Sequence, residues 1–290
     1  MTDGLLLGLA AAVSFGSSDA LAAIMARRVG TLRAAAGALL ASLVSLAAML
    51  GVLQPPAPAS REWLPPVLAL GALAGVGYLA LVNALRLGPV SAVSPLTATG
   101  GAVSVLLAVV LLQERPTPVQ WLAVGLAATG AALVAVVPGI GRVRLAGPGP
   151  AFALMAVACY AISLVELQQF VRAAGVLPVV FIWRVGNVAV ASLAFAAGRW
   201  RRTTPTSAFV GGRGAAVSGV FLVGLLETSG QTFRALGLAV APAWLLGLVG
   251  SLAPAVVVAA GVAFLGERPR RLQWAGMSLV GLALTLLAVP

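Results

Sequence analysis

A chain of 290 residues that is 61% hydrophobic and 9% charged, with a mean hydropathy of +1.07, lies outside the range of a water-soluble domain. All 18 basic residues are Arg, His is absent and Cys159 is the one cysteine, which excludes an intrachain disulfide, a His- or thiol-based metal site, Ser-His hydrolysis and a Lys-bearing phosphate loop. All but Arg184 fall in or beside predicted loops, so the net charge of +11 is read as anchoring at lipid headgroups rather than nucleic-acid binding.

A spanning helix needs about 20 apolar residues, which leaves room for roughly ten spans and short connections. Apolar runs interrupted by Arg, Gly and Pro predict the first five spans at 4–26, 32–53, 64–85, 89–112 and 118–137. The apolar start lacks a basic n-region and is read as the first helix rather than a signal peptide. Residues 138–149, rich in Gly and Pro, are the predicted linker. The second set of spans is predicted at 150–171, 177–198, 214–236, 240–265 and 272–289. The expected fold is an all-α membrane protein in which residues 1–137 and 150–290 form two five-helix repeats around a central cavity.

The halves share a motif. Glu114-Arg115-Pro116-Thr117-Pro118-Val119-Gln120-Trp121 and Glu267-Arg268-Pro269-Arg270-Arg271-Leu272-Gln273-Trp274 both follow the pattern E-R-P-x-x-x-Q-W ahead of the last span of a half. Weaker matches set Phe15 and Ser18 opposite Tyr160 and Ser163, and Gly75 and Tyr78 opposite Gly224 and Glu227. Because each half has an odd number of spans, the copies must be inverted, and the arginines agree. Arg27, Arg28 and Arg33 flank the first connection, against Arg172 alone in its counterpart. Arg61 stands in the second, against Arg199, Arg201, Arg202 and Arg213. The positive-inside rule then predicts that both termini face outward.

The turns Leu112-Gln113-Glu114-Arg115-Pro116 and Leu265-Gly266-Glu267-Arg268-Pro269, with five spans in each half, resemble the drug/metabolite transporter superfamily, specifically its ten-helix EamA-type exporters. The resemblance covers the whole chain. It implies export of amino acids, aromatic ones included, or of other metabolites or toxic compounds through a central cavity by alternating access. It implies a bacterial inner membrane and termini in the cytoplasm, opposite to the arginine pattern.

Of the acidic residues, Asp19, Glu166 and Glu227 fall within spans, where a charge costs about 2.5–3.5 kcal/mol and so belongs in an interior or aqueous cavity. Gly224, Glu227 and Gln231 recur on one face of the eighth span and predict a cavity-lining stripe, with Tyr78 on the equivalent face of the third. Asp19 suits a substrate ammonium, a carried proton or a pair with an interfacial Arg. Glu166 is expected to pair with Arg172. Arg184 and Asn187 suit a substrate carboxylate, against snorkelling or neutralisation of Glu166 or Glu227. Tyr78, Tyr160 and Trp244 suit an apolar wall or plain packing. Asp19, Tyr78, Tyr160, Ser163, Arg184, Asn187, Glu227, Gln231 and Trp244 are the candidate translocation set, and Pro95 and Pro254 are the candidate hinges because each removes a backbone hydrogen bond.

The function expected is secondary transport of small molecules without ATP, cofactor, metal or partner protein, as proton antiporter or facilitator. A multidrug exporter and a lipid or polyprenyl-carrier flippase on the same fold are the alternatives. An intramembrane enzyme lacks a nucleophile-base pair or metal cage in this sequence.

Overall fold

The computed structural model describes residues 2–29, 31–56, 58, 60–87, 96–135, 148–197, 213–250, 252–253, 256 and 271–288. They form ten helices: α1 (Thr2–Val29), α2 (Thr31–Leu53), α3 (Leu64–Leu87), α4 (Gly100–Leu111), α5 (Pro118–Ala135), α6 (Pro148–Ala174), α7 (Val176–Ala196), α8 (Arg213–Val240), α9 (Ala243–Gly250) and α10 (Arg271–Ala288). Pro95, Pro254, residues 138–147 of the predicted linker and Glu267 to Arg270 of the second motif lie outside the described residues. Pro148 and Gly149, read from sequence as the end of the linker, form the first turn of α6, where the missing N–H of Pro148 needs no partner.

The boundaries follow from local chemistry. At α5, Thr117 N–H donates to Gln120 Oε1 at 2.8 Å while Gln120 N–H approaches Thr117 Oγ1 at 3.4 Å. This reciprocal cap explains the Gln of the first repeated motif. In the second copy Arg270 occupies the Thr position, and Gln273 Nε2 donates across the fold to Val134 O at 3.4 Å. Between α6 and α7 the chain reverses at Gly175, whose φ of +84° is left-handed and whose N–H closes on Val171 O at 3.1 Å. After α4, Gln113 takes a φ of 54°, an unfavourable choice for a residue with a Cβ.

Large apolar side chains cover much of the outer surface, and a set of polar side chains is buried within an otherwise apolar core. Leu6, Val44, Leu122, Leu193 and Val217 are exposed, whereas Ser18, Ser42, Arg184, Asn187, Thr228 and Gln231 are buried. That inversion suits a hydrocarbon solvent. Among the described residues, five helices (α1, α2, α3, α6 and α7) are long and apolar enough to span a membrane, and α4, α5 and α10 are shorter apolar helices. α8 is as long as α1 but carries Glu227, Gln231 and Arg234 within it.

Packing shows the two halves exchanging helices. α1 of the first half lies on α8 of the second, and α6 of the second half lies correspondingly on α3 of the first. Equivalent serines anchor these contacts: Ser18 Oγ donates to Val223 O at 3.2 Å, and Ser163 Oγ donates to Leu70 O at 3.1 Å. α4 packs on α9, and α5 packs on α10. The α5–α10 seam is antiparallel, because Gly130 meets Val280 while Val134 meets Gly276. A Cβ on Gly130 would lie 2.7 Å from Gly276 O, and one on Gly276 would lie 2.7 Å from Gly130 O. Counted from the two motif glutamates, buried Ala123, Ala127, Gly130 and Val134 fall at the same positions as buried Gly276, Val280, Ala283 and Leu287. The fold is therefore two inverted five-helix repeats, as the arginines predict.

Candidate functional site

A cavity of about 210 Å³ lies where α1, α3, α4, α6, α8 and α9 meet, and Phe15, Ser104, Tyr160, Leu164, Arg234 and Leu246 are among the residues on its wall. Both repeats contribute, since α1, α3 and α4 come from the first and α6, α8 and α9 from the second.

Next to this cavity the ionisable residues of α7 and α8 converge. Arg184 NH2 stands 3.3 Å from Glu227 Oε1, the one ion pair among the described residues. Arg184 is buried and its guanidinium lies 5.3 Å from the centre of the Trp183 ring, so it does not snorkel to the interface. Asn187, one turn along α7, is buried with Oδ1 unpaired, and Arg184 Nε is likewise unpaired. On α1, Asp19 shares a face with the cavity-lining Phe15; its side chain is exposed yet within electrostatic reach of Glu227. Tyr78 and Tyr160 are half-buried and lie within reach of both Glu227 and Arg184.

The structure thus brings Asp19, Tyr78, Tyr160, Arg184, Asn187, Glu227 and Gln231 into one region, and sets two other candidates apart. Ser163 is buried, donating to Leu70 O and accepting from Trp183 Nε1 at 2.7 Å, so it ties α6 to α3 and α7 rather than facing the cavity. Trp244 is buried in an apolar cluster with Leu5, Val105 and Leu248, off the cavity wall. The expected stripe on α8 also divides. Gly224 faces α2, where a Cβ would lie 2.6 Å from Ala38 O, and Thr228 Oγ1 approaches Ser42 Oγ at 2.9 Å. Glu227 and Gln231 alone turn toward the polar region. Gly75, its counterpart on α3, is likewise consumed by packing against Asn187 and Val190 of α7.

The pair expected between Glu166 and Arg172 does not form. Glu166 Oε2 accepts from Gln169 Nε2 at 2.7 Å, while Arg172 donates to Leu238 O at 3.1 Å and Ala241 O at 3.0 Å. Gln168 Nε2 also donates to Ala241 O at 3.1 Å. The bond to Leu238 O satisfies the carbonyl whose helical donor would be Pro242, which has no N–H, and the bonds to Ala241 O satisfy a carbonyl just past the end of α8. On the other side of Pro242, the Glu114 carboxylate accepts from the N–H groups of Ala243 at 2.9 Å and Trp244 at 3.0 Å. The first motif's Glu is therefore a cap for a helix of the opposite repeat.

Two residues of the site escape the sequence reading. Arg234, taken there as lying beside a loop, sits well inside α8 and on the cavity wall, because the helix continues to Val240. Its guanidinium bonds Gln231 Oε1 and lies 5.5 Å from the Phe15 ring centre and 5.9 Å from that of Trp183. Trp183 thereby stands against both cations of the region. The spacing Glu227, Gln231, Arg234 is one helical face and held the missing signal. Among the described residues, no group of His, Cys, Asp or Glu is arranged to hold a metal ion.

The family model described as the EamA-like transporter family matches residues 2–136 and again 147–289. No curated protein matches the sequence significantly. One solved structure, described only as a crystal structure of a protein, is 18% identical, with a TM-score of 0.81 over 100% of this chain and 97% of its own; that likeness shows the fold.

Proposed function

The chain belongs to the EamA-like transporter family, a family of membrane transporters and not of enzymes, and from that premise we propose that it exports amino acids or similar small metabolites across the bacterial inner membrane by alternating access. The observation that carries this reading is the polar region itself. An Arg184–Glu227 pair at 3.3 Å, with Asp19 exposed beside it, stands in the interior of a fold whose outer surface is apolar. Ionisable groups so placed are costly, and in a membrane protein they mark the path of a polar solute or a proton. The residues come from both repeats, so a relative motion of residues 1–137 against 150–290 would change their access to either side. Pro95 and Pro254 remain the proposed hinges.

Flux is coupled to protons through Glu227 or Asp19, or is facilitated without them. Proteoliposomes loaded with labelled amino acids, run with and without a pH gradient, separate the two. Saturable flux that Glu227→Gln deprives of its gradient dependence while passive exchange continues supports antiport through Glu227. Flux indifferent to the gradient supports a facilitator. Absence of flux for every amino acid and small metabolite tested defeats the proposal.

A further inference from the structure

The two guanidiniums of the polar region are not equivalent. Arg184 faces a carboxylate, whereas Arg234, among the described residues, touches the neutral Gln231 and the faces of Phe15 and Trp183. Glu227 lies within electrostatic reach of Arg234, but its Oε1 is directed to Arg184. Arg234 is also the cation on the cavity wall, where the other described lining residues are apolar side chains, hydroxyls and glycines. Two of those glycines keep space open: among the described residues, a Cβ on Gly250 would meet nothing within 4 Å, and one on Gly100 would meet only Val157, at 4.0 Å.

A guanidinium held in low-dielectric surroundings beside neutral groups gains most from an incoming anion, and its planar fork matches a carboxylate. Gln231 and the two aromatic faces fix that plane in advance, which lowers the ordering cost of binding. The cavity, at about 210 Å³, is below the roughly 300–1,000 Å³ of drug-sized pockets, so its occupant is small. We propose that Arg234 is the anion-binding group of this cavity and that its ligand is a small monocarboxylate with an apolar side chain, the carboxylate on Arg234 and the side chain against Gly100 and Gly250. The proposal rests on the transport reading and assigns to it a ligand class and an anchoring residue.

The test uses the purified chain in lipid nanodiscs and three probes of one shape: L-leucine, 4-methylpentanoate, which lacks the ammonium, and isopentylamine, which lacks the carboxylate. Leucine and 4-methylpentanoate should bind and isopentylamine should not. Arg234→Gln should weaken both carboxylates by at least about tenfold, Arg234→Lys should retain part of the affinity, and melting temperatures of the variants establish that they are folded. Gly250→Leu should exclude leucine while still admitting alanine. Equal binding of isopentylamine, binding of none of the three, or unchanged leucine affinity in Arg234→Gln overturns the anchor. Leucine flux that persists in Arg234→Gln proteoliposomes overturns it too and leaves the transport reading standing. Leucine bound by Arg234 but never moved across the bilayer does the reverse.

Discussion

Arg184 and Glu227 meet at 3.3 Å, but the Arg side chain is 1% exposed and the Glu side chain 29%, so the pair is enclosed from one side only. Removing the carboxylate strands a cation that has no route to water, whereas removing the cation leaves a carboxylate that still borders open space. Glu227→Gln should therefore cost about 3 kcal/mol of stability and Arg184→Gln clearly less, with the double variant recovering part of the loss. Denaturation of the four proteins in one detergent measures the cycle. Equal and additive losses would show that the pair is not coupled in this way.

Glu114 offers a second test because its partners belong to the other repeat. Its bonds to the N–H groups of Ala243 and Trp244 are charge-assisted and part-buried. Glu114→Ala should lower stability by about 1–2 kcal/mol and speed hydrogen exchange at the start of α9. Glu166→Ala, which loses only an exposed bond to Gln169, should change stability by about 0.5 kcal/mol or less. Matching effects from the two substitutions would remove the cap from the account.

Glycines at helix contacts and glycines facing open space should respond in opposite directions. A Cβ on Gly71 would fall 2.0 Å from Trp183 O, backbone that cannot yield, so Gly71→Ala should destabilise by about 2 kcal/mol or more. Among the described residues, Gly125 has nothing within 4 Å of the same added atom. Gly125→Ala should stabilise by about 0.5–1 kcal/mol through helix propensity. Thermal melts of the two variants decide, and a loss at both positions would count against the packing described for α3 and α7.

Gln113 holds a φ of 54° in the turn between α4 and the E-R-P motif, and the second copy of that turn has Gly266 at the matching position. Relief of the left-handed strain should make Gln113→Gly more stable by about 1 kcal/mol. The side chain's bond to Val110 O at 2.8 Å is exposed and offsets little of that gain. An unchanged or lowered melting temperature would mean that this bond outweighs the backbone term.

The helices were legible because most rest on a long, largely apolar run, and the inversion because arginines concentrate at opposite ends of matching helices. Contacts between repeats were not. Glu114 and Gln120 carry the same motif, yet Gln120 bonds a residue three positions away and Glu114 bonds across the fold. Periodicity can reveal the first and not the second. Arg234 was missed for a different reason: an Arg near the expected end of a span is ordinarily interfacial, and only the added length of α8 places it within a helix and on the cavity wall. Trp183 showed no pattern at all. Its role depends on Ser163 and Arg234 arriving from two other helices.

The α5–α10 seam has the form of an isologous interface, in which corresponding patches of two copies close on one another. In a homodimer of half-length chains every substitution would land twice. A carboxylate at the position of Glu227 would then face its own image across the lumen, and each buried cation would have a twin. A single polypeptide is free of that obligation: the position matching Glu227 is Tyr78, and Phe15 stands opposite Tyr160. The covalent link keeps the symmetry needed to assemble the bundle and lets its centre be chemically handed, with a different set of groups presented from each repeat.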